Sequence, residues 1–99
     1  MESLAAEVLA AGHRAFLASN TDPLHFAFLQ ERMPVLDRLD ACFLSYEARL
    51  LKPDPEFFRA LLARYQLVAS ECLFLDDRPD NVAAAASVGI RAEVHTGDV

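Results

Sequence analysis

The sequence predicts an α/β fold, a three-layer arrangement in which helices cover both faces of a parallel sheet. Apolar runs of strand length alternate with segments of helical spacing along nearly the whole chain, and such alternation calls for parallel strands joined by right-handed crossovers. The run Cys72-Leu73-Phe74-Leu75 has no polar residue to turn toward water, as expected of a strand covered on both sides. Composition agrees: 99 residues make one domain at most, and 54% hydrophobic with 24% charged residues suits a globular chain rather than a disordered one.

The elements follow in order. Residues 2–11 place Leu4, Val8 and Leu9 at helical spacing, and Gly12 ends that helix. Residues 14–19, RAFLAS, form a short strand that stops at Asn20. Asp22 and Pro23 are an N-cap and first helical residue, opening a helix from which Leu24, Phe28 and Leu29 would face the core. Residues 33–40 mix Pro34 with three charges and read as a loop or one short helical turn, after which residues 41–45, ACFLS, form a second strand. No steady period runs through residues 46–54, where Pro53 biases Lys52 toward extended backbone. Asp54 and Pro55 then open a helix reaching about Tyr65, with Phe57, Phe58, Leu61, Leu62 and Tyr65 as a core-facing stripe. The strand at residues 72–75 leads into Asp76 and Asp77, and Pro79 starts an Ala-rich helix that Gly89 terminates. Finally Ile90, Ala92 and Val94 alternate with Arg91, Glu93 and His95, the pattern of a strand at a sheet edge with one face inward.

Charge and cysteine usage remove several classes of function. A formal net charge of −6 argues against broad electrostatic binding to nucleic acid. No apolar run approaches the roughly 20 residues of a membrane span, and the amino terminus lacks the pattern of a signal peptide, so no membrane association and a cytoplasmic location are expected. Cys42 and Cys72 form no CxxC pair and read as small buried hydrophobes rather than a disulfide or zinc site. His13, His25 and His95 form no cluster, and His25, although near the turn after Ser19, reads as a helix-surface residue.

Right-handed parallel connections put the carboxyl ends of the strands on one edge, where open α/β sheets bind ligands. Ser19 with Asn20, the loop carrying Lys52, and Asp76 with Asp77 would all emerge there. Adjacent carboxylates about 5 to 6 Å apart repel by roughly 3 kcal/mol at an effective dielectric near 20, so a cation, a proton or a nearby lysine is expected to offset them. A hydroxyl and backbone N–H groups near a helix start, a lysine and two carboxylates are parts suited to holding a phosphate beside Mg²⁺.

The segments LASNTDP, FLSYEARLLKPDPEFF and CLFLDDRPDNVAAAASVGI, in this order, resemble the second, third and fourth motifs of the haloacid dehalogenase-like (HAD) hydrolase superfamily, most closely its capped phosphatase-type members. The resemblance covers nearly all of the chain. It implies a Rossmann-like core in which the residue matching Ser19, with the backbone of Asn20, holds the transferring phosphoryl group. It further implies that Lys52 steadies nucleophile and phosphate, that Asp77 coordinates Mg²⁺, and that Asp76 serves in the outer metal shell or shares coordination. Asp80 and Asn81 would shape the turn. The paired Asp76 and Asp77 favour metal-using phosphoryl chemistry over dehalogenation.

In that family the core begins with a central strand ending in an aspartate nucleophile, followed two positions later by an acid/base aspartate. The only acids ahead of Ser19 are Glu2 and Glu7. The expectation is therefore a carboxyl-terminal portion of such a core, residues 1–99, lacking the first strand and the cap and inactive alone on a small phosphorylated substrate. The strands at residues 14–19 and 72–75 would then pair directly, accept a strand from another chain, or belong to a larger protein of which this chain is a piece. A non-catalytic assembly module whose open strand edges recruit a partner or a second copy is the alternative reading. A nucleotide-binding domain is disfavoured because there are only three glycines and no Gly-rich phosphate loop.

Overall fold

The computed structural model describes residues 2–95. Five helices and four strands alternate through them: α1 (Glu2–Ala10), β1 (Phe16–Ser19), α2 (Pro23–Arg32), β2 (Ala41–Leu44), α3 (Ser45–Ala48), α4 (Pro55–Tyr65), β3 (Leu73–Asp76), α5 (Pro79–Ser87) and β4 (Arg91–Val94). Tight 3₁₀ turns at Pro34–Arg38 and Ala69–Glu71 precede β2 and β3. The chain divides into two compact units, one ending at Glu47 and the other beginning at Ala48.

In the first unit β1 and β2 run parallel, with Phe16 opposite Ala41 and Ser19 opposite Leu44. Asp40 extends the ladder at its entry. Its backbone N–H donates to the Ala15 carbonyl at 2.8 Å, and its carboxylate accepts the Ala15 N–H at 2.7 Å. Val35 and Leu36 of the 3₁₀ turn and Phe43 and Leu44 of β2 are buried. As the sequence indicates, Asp22 caps α2, its carboxylate accepting the His25 N–H at 2.8 Å.

The core-facing role expected of α2 is overturned: none of its residues is buried, and Leu24 is 83% exposed. Period alone marks an apolar stripe without saying what covers it. Here the Phe28 ring is covered by the Arg32 guanidinium, 4.0 Å from its centroid, with the His25 ring stacked 6.5 Å away. Phe28 thus meets side chains of its own helix, and Leu24 stands in solvent.

In the second unit β3 and β4 run parallel, Leu73 opposite Arg91 and Asp76 opposite Val94, and α5 packs on both strands. The α4 stripe behaves as predicted. Phe57 and Phe58 are fully buried, and Phe58 meets Phe57 at 5.3 Å and Phe74 at 5.0 Å in edge-to-face geometry. Asp54 caps α4 through the Glu56 N–H at 3.0 Å. Gly89 has φ +96° just beyond α5, a conformation open to glycine at little cost. Two exposures depart from prediction: Leu73, at the entry of β3, and Val94, at the end of β4, both face solvent.

The parallel α/β class is thus as predicted, and among the described residues β1 pairs with β2 and β3 with β4. No helix among the described residues is long and apolar enough to cross a membrane. Cys42 and Cys72 form no disulfide and are half-buried rather than fully buried. Burial raises the Cys42 thiol above its ordinary pKa, as do the charges of Glu47 and Asp37, which favours the protonated thiol.

Candidate active site

In each unit the parallel strands present their carboxyl ends on one edge, and the candidate residues stand at those ends. In the second unit the loop before α4 carries Lys52, whose peptide bond to Pro53 is cis. Its Nζ donates to Asp76 Oδ2 at 2.9 Å, with both side chains only 9% exposed. That burial separates the pair from an ordinary surface bridge, whose net worth is small; losing one partner here strands a charge away from water. The ammonium also lies 5.6 Å from the Phe74 ring centroid, so the ring face of β3 supplements the carboxylate.

Asp76 is held from three sides. Besides Lys52, Oδ2 accepts the Asn81 amide at 3.2 Å, while Oδ1 accepts the Arg78 backbone N–H at 2.9 Å. Burial alone would raise its pKa. The Lys52 hydrogen bond, the Arg78 N–H, the Lys52 charge and the Asn81 amide outweigh burial and hold the carboxyl below its ordinary value. Asp76 is therefore an ionised, fixed carboxylate, and Lys52 is the offset that the adjacent carboxylates were expected to need.

Asp77 follows on the exposed side of the turn, and among the described residues no hydrogen bond or ion pair takes up its carboxylate. Asp80 instead receives Arg78, Nη2 to Oδ2 at 3.2 Å, and accepts the Asn81 N–H at 3.0 Å. The Arg78 hydrogen bond is the main reason its pKa lies below the usual range. Asp80 and Asn81 thus shape the turn, as the sequence suggested. Asn81 does more than that, being buried and bonded to Asp76.

In the first unit Ser19 is the last residue of β1 and is half-buried, while Asn20 is exposed on the turn leading to the α2 cap. The next residue, Thr21, is anchored by Ser45. The Ser45 hydroxyl accepts the Thr21 N–H at 2.9 Å and donates to the Thr21 carbonyl at 3.1 Å. Of the sequence-predicted residues, the structure brings Lys52 and Asp76 into contact, places Asp77 beside them, and puts Ser19 with Asn20 in the other unit. Sequence reasoning missed Ser45, a buried polar residue read only as the end of a strand.

As a test of fit for Mg²⁺, the second unit offers hard oxygen donors, one carboxylate already committed and one unengaged. No group of three or more His, Cys, Asp or Glu side chains stands ready to hold a metal among the described residues. A lone carboxylate fits Mg²⁺ only where water and phosphate complete the shell, which is the ion's usual habit.

The fold is parallel α/β, with a buried lysine–aspartate pair where β3 ends and an N-capped helix following the turn at Ser19 and Asn20. The family model described as haloacid dehalogenase-like hydrolase matches residues 2–89, and the chain belongs to that family. It is similar to flavin mononucleotide hydrolase 1 of Arabidopsis thaliana, 30% identical over 84 residues covering 85% of this chain and 34% of the relative. It is also similar to a sesquiterpene phosphatase of Aspergillus oryzae, 33% identical over 90 residues, 91% of this chain and 46% of the relative. Among solved structures, a HAD family enzyme from Bacteroides thetaiotaomicron in complex with magnesium and inorganic phosphate superposes with a TM-score of 0.86 at 27% identity, over 95% of this chain and 50% of that one. The chain thus spans between a third and a half of the length of these relatives.

Proposed function

We propose that this chain carries the phosphate- and Mg²⁺-binding half-site of a phosphatase acting on phosphoric monoesters. The observation that carries the reading is the buried Lys52–Asp76 pair with the unengaged Asp77 beside it. Asp77 is the candidate metal ligand. Asp76 has its oxygens committed to Lys52, Asn81 and the Arg78 N–H, so it would serve the outer metal shell by fixing Lys52. The Ser19 hydroxyl and Asn20 backbone would hold the phosphoryl group, and the Lys52 charge would steady it together with an attacking carboxylate. Bound Mg²⁺ would supply Lewis-acid neutralisation of phosphoryl charge. The relatives named above, a flavin mononucleotide hydrolase and a sesquiterpene phosphatase, support phosphoester chemistry, and the magnesium and phosphate of the solved enzyme support the cofactor.

The nucleophile on this reading comes from outside residues 1–99, since the acids ahead of Ser19 both belong to α1. The 99-residue chain with an aryl phosphate and Mg²⁺ is therefore expected to bind inorganic phosphate and to release none from the ester. Mg²⁺-dependent turnover traceable to the chain would refute the inactivity, and the absence of any Mg²⁺ binding would refute the half-site.

The second reading is an assembly module; among the described residues β1 pairs with β2 and β3 with β4. Sedimentation across a hundredfold concentration range tests it, with a mass fixed at one chain counting against assembly.

A further inference from the structure

We infer that Ser45 is a positioning residue for the phosphate turn, an inference that rests on the reading of Ser19 and Asn20 as phosphoryl-holding groups. Only two residues separate Ser19, fixed opposite Leu44 in the β1–β2 ladder, from Asp22, fixed as the cap of α2. Ser45 closes that interval. Its hydroxyl lies 24 positions away in sequence, is 4% exposed as a residue, and takes both backbone polar groups of Thr21: the N–H at 2.9 Å and the carbonyl at 3.1 Å.

Chemistry restricts what can stand there. A hydroxyl is donor and acceptor at one atom, so it satisfies an N–H and a carbonyl of the same residue at once. Alanine would leave both without that partner, and a thiol is a weak donor and acceptor. With Thr21 clamped, the peptide planes on either side of it, the Asn20–Thr21 plane among them, are held before any anion arrives, and a preorganised turn gains affinity by the ordering it no longer has to undergo. Ser45 follows directly on β2, so the clamp ties the turn to the neighbouring strand rather than to its own loop.

The test titrates inorganic phosphate into the Mg²⁺-loaded chain by calorimetry, for wild type, Ser45→Ala, Ser45→Cys and Ser45→Thr, and separately titrates Mg²⁺ alone. Ser45→Ala and Ser45→Cys should weaken phosphate about tenfold, the worth of roughly one lost hydrogen bond. Mg²⁺ affinity should be unchanged in both, and Ser45→Thr should recover phosphate binding. Wild-type phosphate affinity in Ser45→Ala overturns the inference, and so does a parallel loss of Mg²⁺ and phosphate affinity, which marks damage to the fold. Ser19→Ala is the separate control: if it binds phosphate as tightly as wild type, the reading beneath the inference fails. Hydrogen exchange at the Thr21 amide provides a measurement independent of phosphate. It should accelerate in Ser45→Ala, and unchanged protection also overturns the inference.

Discussion

At the scale of single residues, the Lys52–Asp76 pair carries the sharpest consequences. Both partners are 9% exposed, so removing one leaves the other charged and stranded. Lys52→Ala should cost about 3 kcal/mol of stability, and the double variant Lys52→Ala/Asp76→Ala clearly less than the sum of the two single changes. Urea denaturation of the four proteins checks this, and strict additivity would mean that the pair is not coupled. The same pair sets an acid limb. The folded-state pKa of Asp76 lies below its ordinary value, so its contribution is fully present above the unfolded value, about 4, and is lost as pH falls through the folded one. Denaturation midpoints should therefore drop below about pH 4 in wild type and drop less in Asp76→Asn. An identical acid loss in that variant would assign the limb to other carboxylates.

At the scale of elements, much of the order was legible because local chemistry dictated it. Asp22 and Asp54 cap their helices where an acidic residue before proline said they would, and the α4 stripe buries Phe57 and Phe58. Asp22→Ala should cost about 1 kcal/mol, measured as a shift in the denaturation midpoint, because it strips the acceptor from the His25 N–H at the first turn. Gly89→Ala isolates backbone strain. An added Cβ would meet only the Ala69 Cβ at 3.5 Å, an ordinary contact, whereas φ is +96°. The expected cost of about 1 to 2 kcal/mol is thus conformational, and a neutral effect would show that the turn relaxes.

What the sequence could not reveal is equally specific. Periodicity marked Leu24 and Phe28 as an apolar stripe but held no information on the guanidinium that covers Phe28. The bond from Ser45 to Thr21 spans 24 positions, and no local signal announces a contact of that range. For the acidic turn, sequence placed Asp76 and Asp77 side by side, yet only burial and the three donors on Asp76 distinguish the committed carboxylate from the open one.

At the scale of the molecule, the two units bring different halves of the proposed chemistry, and a chain of net charge −6 repels a phosphate anion at long range. Local groups must overcome that field, and Lys52 already faces the carboxylate of Asp76. Phosphate binding on the proposed reading therefore depends on the added charge of the metal, whereas folding does not, because the buried pair supplies its own neutrality. Removing Mg²⁺ with a chelator should weaken inorganic phosphate at least about tenfold, a coupling of roughly 1.4 kcal/mol or more, and lower the thermal midpoint only by the modest amount that losing one bound ligand implies. Asp77→Asn should reproduce the chelated behaviour in the presence of Mg²⁺, since Asp77 is exposed and its loss disturbs no bond in the described turn. A chelator that unfolds the chain outright would instead make the metal part of the fold. Phosphate affinity indifferent to Mg²⁺ would move the anion's recognition entirely to the Ser19 turn and remove Asp77 from the site.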